Sequence, residues 1–139
     1  IPGRNHIIKT DQIIVLDDCY NANPISMKAS VDVLNMAIGR KVAILGDMGE
    51  LGEEASELHR EVGEYAAQKG IDVVCAIGSV SKALADGAKA EGCTEVHWFE
   101  TKKEFLDTYK DIILPDDNVL VKASHGMAFP EIVDALQTL

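Results

Sequence analysis

Positive charge is scarce in this 139-residue chain: 13 Lys and Arg stand against 23 Asp and Glu, a net charge of −10. Binding along a phosphate backbone needs a basic face, so nucleic acid is set aside as a partner. A small anionic ligand stays open, because a few cations can converge locally. Cysteine is sparse as well. Cys19, Cys75 and Cys93 are odd in number and widely spaced, with no CxxC pair. That argues against a zinc ribbon and for reduced thiols in a cytosolic protein. No apolar run approaches the about 20 residues that cross a bilayer, so no membrane span is expected. The opening IPGRNHIIKT lacks the apolar stretch of a signal peptide. Neither GxGxxG nor GxxxxGK[ST] occurs, and no HExxH, so the chain offers no dinucleotide fingerprint, phosphate loop or metal site of its own. A start at Ile1 instead of Met predicts a piece of something longer.

What is present is an alternation. The apolar fraction, 47%, is ordinary for a globular chain and is enough for a sizeable core. The length suits one domain spanning residues 1–139. QIIVLD, KVAILG, DVVCAIG, EVHWF and NVLVKAS are short, continuous apolar runs and read as strands. Between them lie stretches of helical period. Ile25, Met27, Val31, Leu34 and Ile38 mark the first, which Gly39 ends. Residues 53–70 form the second, and residues 79–92 the third, with Ser79 or Ser81 as its cap. Residues 101–113 form the fourth, capped by Thr101, and residues 129–139 the last, with Pro130 in its first turn. HIIKT near the start reads as an additional edge strand. Continuous apolar strands alternating with helices predict an α/β fold: a doubly wound, mostly parallel, Rossmann-like sheet with helices on both faces.

Ligands of such sheets bind outside the carboxyl ends of the strands. After the first main strand come Asp17, Asp18, Tyr20, Asn21 and Asn23. After the second come Asp47 and Glu50, after the third Gly78 and Ser79, and after the fifth Lys122, Ser124 and His125. Each group has a plain structural reading too. Asn and Asp favour turns through side-chain to backbone bonds, and Pro24 starts a helix. GDMGELG reads equally as a flexible turn. His59, mid-helix, reads as packed or solvated, and His6 and His97 as structural. Lys122 is the exception: a lysine ending an apolar strand calls for an anion or a carboxylate. From geometry alone, Asp17, Asp18, Asp47, Ser79 and Lys122 also fit a receiver-type phosphorylation switch. Against that, Asp47 ends the very next strand after Asp18, and Ala123 follows the lysine.

More residues are explained together by DDCYNANPISM, ILGDMGELG, HREVG and VLVKASHGM, in that order and preceded by PGR. This set resembles the C-terminal domain of the Mur ligases over nearly the whole chain. YNANP with LGDMGELG resembles the branch that adds D-alanyl-D-alanine to UDP-N-acetylmuramoyl-tripeptide. KASH stands where the family has KGSR, so His125 replaces an arginine. The resemblance implies a bacterial, cytoplasmic, monomeric enzyme of three domains. The N-terminal domain binds UDP, and the central domain carries the phosphate loop and most Mg2+ ligands. ATP activates the tripeptide carboxylate as an acyl phosphate, which the dipeptide amine attacks. By matching motifs, Arg4, Asp18, Asn21 and Asn23 are assigned to ATP, with Asp17 supporting the loop. Lys122, Ser124 and His125 are assigned to the dipeptide. The acidity of Asp47 and Glu50 adds them as receivers of its ammonium group. A plain nucleotide-binding module remains a third reading.

Overall fold

The computed structural model describes residues 2–139. Six strands form one sheet: β1 (His6–Lys9), β2 (Ile14–Asp17), β3 (Lys41–Gly46), β4 (Val73–Ile77), β5 (Glu95–Phe99) and β6 (Asn118–Lys122). Their spatial order is β1-β2-β6-β3-β4-β5, and only β1 runs antiparallel, pairing with β2 across a short turn. Thr10 makes that turn by accepting the backbone N–H groups of Gln12 and Ile13. The helices are α1 (Pro24–Asn35), α2 (Ala55–Gln68), α3 (Lys82–Ala90), α4 (Lys102–Leu106) and α5 (Pro130–Leu136). None of the helices among the described residues is long and apolar enough to cross a membrane.

Strand side chains alternate between the two faces, and both faces are covered. On one, Leu16, Ala43, Leu45, Val74, Ala76 and Leu120 pack with α1, α2 and α3. On the other, Val15, Ile44, Cys75, Ile77 and Val121 pack with Phe105 of α4 and with Phe129, Ile132 and Leu136 around α5. This is why the strands read as unbroken apolar runs.

Several boundaries differ from the periodic reading. α1 ends at Asn35, short of Gly39, because Ala37 and Met36 close the last turn onto Leu34 and Val33. The helix expected over 101–113 breaks after Leu106, and a 3-10 turn follows at Tyr109–Asp111. The tighter winding brings Tyr109, Ile112 and Ile113 all into the core. Thr101 caps α4 as expected, accepting from the Glu104 N–H. Neither Ser79 nor Ser81 caps α3 with its side chain: Ser81 holds the cap position, but its hydroxyl turns to Asp47. Asn23 caps α1 in a reciprocal box with Ser26, ahead of Pro24.

Candidate functional site

The connections set the place of the site. β2 and β3 lead to α1 and α2 on one face, whereas β6, lying between them, leads to α5 on the other. A crevice therefore opens at the carboxyl end of β6, flanked by the ends of β2 and β3. Asp18, Lys122, Ser124 and Asp47 all project from these ends.

Lys122 and Asp18 meet there. The Lys122 ammonium lies 2.8 Å from Asp18 Oδ2 and is 3.1 Å from the Asn21 carbonyl, with the Asp18 carbonyl at 3.4 Å. It is 3% exposed, and its three protons have three acceptors inside the protein. Asp18 is engaged on both oxygens. Oδ1 accepts the Asn5 N–H, and Oδ2 accepts from Ser30 as well as from Lys122. Burial raises the Asp18 pKa, but the bonds from Lys122, Ser30 and Asn5 together outweigh it and hold the carboxyl below its ordinary value. Three of about four acceptor positions on this carboxylate are filled, leaving room for one further donor.

Asp17 points to the other side, where Oδ2 accepts the Gly3 N–H at 2.9 Å and Oδ1 accepts from the Cys19 thiol. Tyr20 returns a backbone N–H to the Gly3 carbonyl. The two adjacent aspartates thus clamp residues 3–5, and Arg4 is the side chain they present. Arg4 is exposed and has no ion pair among the described residues. It lines a groove of about 330 Å³ together with Asn5, Asp18, Ser26, Ser30 and Lys122. Asn21 is exposed and offers its side chain, while the Asn23 oxygen is occupied by the Ser26 N–H.

At the end of β3, Asp47 Oδ1 accepts both the backbone N–H and the hydroxyl of Ser81, at 2.9 and 2.7 Å. Gly78, with φ +120°, passes so close that a Cβ there would overlap the Asp47 carboxylate. The Asp47 carbonyl accepts the Ser124 N–H, which ties the ends of β3 and β6 together. Glu50 stands on an exposed turn with φ +58°. Ser124 is half-buried, and His125 is exposed against the Tyr20 ring. Lys122 and Asp47 are not paired with each other, which removes the charge pattern that suggested a phosphorylation switch.

Sequence reading missed Ser30 and Asn5, and took Ser81 only as a cap; their donors bond the two carboxylates. No local signal marks them, because their partners lie 12, 13 and 34 residues away in sequence. His59 is packed, as expected, but also specific in its contacts. Fully buried, it accepts the Met48 N–H at Nε2 and donates from Nδ1 to the Ala55 carbonyl, fixing the turn after Asp47. Burial and the Asp17 bond push the Cys19 pKa up to about 12, which keeps this thiol protonated. Among the described residues no group of three His, Cys, Asp or Glu side chains is placed to hold a metal ion.

A family model described as "Mur ligase, glutamate ligase domain" matches residues 3–125. UDP-N-acetylmuramoyl-tripeptide–D-alanyl-D-alanine ligase of Escherichia coli (strain K12) is 39% identical over 140 residues, which take in 99% of this chain and 30% of that protein. The Bacillus subtilis (strain 168) protein of the same name is 36% identical, over 96% of this chain and 30% of its own length. A crystal structure of MurF from Acinetobacter baumannii superposes with a TM-score of 0.89 at 29% identity, over all of this chain and 31% of the other. The chain spans just under a third of the length of the curated relatives it matches. From the family match and the strand-end geometry together, the chain belongs to the Mur ligase family, as its glutamate ligase domain.

Proposed function

We propose that this chain is the C-terminal domain of an ATP-dependent, amide-forming ligase that joins D-alanyl-D-alanine to UDP-N-acetylmuramoyl-tripeptide in the bacterial cytoplasm, during peptidoglycan precursor synthesis. The observation that carries the reading is that Arg4, without an ion pair among the described residues, lines one groove with the Asp18 carboxylate, its backbone neighbours Gly3 and Asn5 being held by the two aspartates. A free cation next to an acceptor with one open position suits a nucleoside triphosphate, with phosphate at Arg4 and a ribose hydroxyl at Asp18. The names of the relatives supply the acceptor and donor substrates.

Within that reading the side chains divide their work. Arg4 takes phosphate charge, Asp18 orients the ribose, and Asn21 and Asn23 shape the loop between them. Lys122, assigned to the dipeptide by motif, acts through the loop: it holds Asp18 and the Asn21 carbonyl in register. Ser124 and His125 face the incoming dipeptide. Glu50 and the unbonded Oδ2 of Asp47 receive its ammonium group before a proton leaves. Closure of this domain over a central domain excludes water from the acyl phosphate. Mg2+ would be held mainly by that central domain, which supplies the phosphate loop.

The test is phosphate release by the full-length enzyme. It should require ATP, the UDP-muramoyl-tripeptide and D-alanyl-D-alanine together, and Arg4→Ala should raise the KM for ATP. Release that ignores the dipeptide would favour a plain nucleotide-binding module. For the acidic pair, Asp47→Asn and Glu50→Gln variants that keep the dipeptide KM would remove their assignment.

A further inference from the structure

Tyr20 has no part in the roles above, yet it stands at their centre. Tyr20 is 49% exposed at the carboxyl end of β2. The Arg4 guanidinium carbon lies 3.9 Å from the ring centroid, well inside cation–π range. The His125 ring is inclined at 50° with its centroid 5.6 Å away. Three strand-end segments, distant in sequence, thus meet on one aromatic side chain. The Tyr20 backbone is itself fixed, through its N–H to the Gly3 carbonyl at 2.8 Å.

Arg4 and Tyr20 line different hollows. Arg4 lines the groove of about 330 Å³ that also holds Asp18 and Lys122. Tyr20 and His125 line a separate, larger cavity of about 550 Å³, with Ile8, Cys19 and Val133 among its walls. The contact between Arg4 and Tyr20 therefore links the linings of the two hollows. An exposed arginine with no carboxylate partner has a long, mobile side chain. Something must restrict it if it is to meet phosphate in one geometry. A carboxylate partner would neutralise the charge, whereas an aromatic face restricts the guanidinium and leaves its N–H donors free. The ring face that carries Arg4 is closed to a stacking base.

We propose that Tyr20 is a positioning residue, whose ring holds the Arg4 guanidinium ready for nucleotide phosphate and seats His125 on the acceptor side. The inference rests on the proposed ligase reading for the identity of the ligand, and on the stacking geometry for everything else. It requires the ring and not the phenol hydroxyl, because Tyr20 OH makes no hydrogen bond among the described residues.

Two measurements test it. In the 139-residue chain, NMR should find the Arg4 side-chain methylene protons shifted upfield by the ring current. Tyr20→Phe should keep the shift and Tyr20→Leu should abolish it. In the full-length enzyme, Tyr20→Leu should raise the KM for ATP about tenfold, with kcat changed less than about threefold and the melting temperature unchanged. Tyr20→Phe should restore the wild-type KM. Unshifted Arg4 resonances in the wild-type chain overturn the proposal, and so does an unchanged KM in Tyr20→Leu. Failure of Phe to rescue also overturns it, by placing the function in the hydroxyl. Absence of ATP use by the wild-type enzyme overturns the ligase reading and the ligand named here, while the Arg4 shift still decides whether Tyr20 holds Arg4.

Discussion

At Asp18 one carboxylate answers to Lys122, Ser30 and Asn5 at once. From sequence alone, Asp18→Ala is expected to impair ATP use far more than stability. The structure changes that expectation, since the variant leaves Lys122 buried with no counter-charge. It should cost about 2–3 kcal/mol, less than a fully buried pair because Asp18 is partly open to solvent. Arg4→Ala is the cleaner probe of nucleotide binding. It should stay within about 0.5 kcal/mol of wild type in urea unfolding, because Arg4 is exposed and unpaired. The Asp18 carboxyl also sets a pH dependence. Its folded pKa lies below the unfolded value of 3.8, so its stabilisation is complete above that value and is lost as pH falls through the folded pKa. Acid unfolding of Asp18→Asn should accordingly be less steep below pH about 4. His59 makes a second residue-scale case. In His59→Ala the buried Met48 N–H loses its acceptor, and the unpaired donor alone costs about 1–3 kcal/mol. Chemical denaturation should show that loss, and an unchanged midpoint would mean that water replaces the imidazole.

Among the elements, α2 and α3 pack most closely. Gly63 of α2 lies against the Leu84 carbonyl of α3, and Gly87 of α3 against the Arg60 carbonyl of α2, so that a Cβ at either would overlap the facing backbone. Helix propensity favours alanine over glycine by about 1 kcal/mol. Packing opposes it, because the helices would have to part and loosen Val62, Ala66, Leu84 and Ala88 from the sheet. Gly63→Ala should therefore destabilise by about 1–3 kcal/mol, read as a lower urea midpoint. A midpoint at or above wild type would show that the two helices separate freely. The same pair of helices orients the site, since α2 carries His59 behind the Asp47 turn and Ser81 precedes α3. Two element boundaries were misplaced because Gly39 and the 101–113 stretch were judged by local preference. α1 closes at Met36 and Ala37 through bonds to Val33 and Leu34, and α4 gives way to a 3-10 turn that carries Tyr109, Ile112 and Ile113 into the core.

For the whole molecule, net charge of −10 and a site presenting a cation are compatible because Arg4 lines the crevice without an ion pair among the described residues, while Lys122 is taken up by Asp18. The 139 residues should refold as a cooperative unit around their two core layers, yet release no phosphate from ATP, since no phosphate-loop sequence occurs in them. Steady phosphate release in proportion to protein would contradict that. Sequence by itself determined the fold class, because continuous apolar strands can be buried only between two helical layers. It also marked which strand ends carry polar groups, because Asp17, Asp18, Asp47, Lys122 and Ser124 stand at or just beyond the ends of apolar runs. Pairing was decided only by tertiary structure. That Lys122 answers Asp18 and not Asp47 depends on β6 lying between β2 and β3, whereas the presentation of Arg4 by Asp17 and Asp18, with Tyr20 under its guanidinium, depends on β1 folding back on β2. Strand order is fixed by the packing of helices that are far apart in the chain, and no local pattern of residues encodes it.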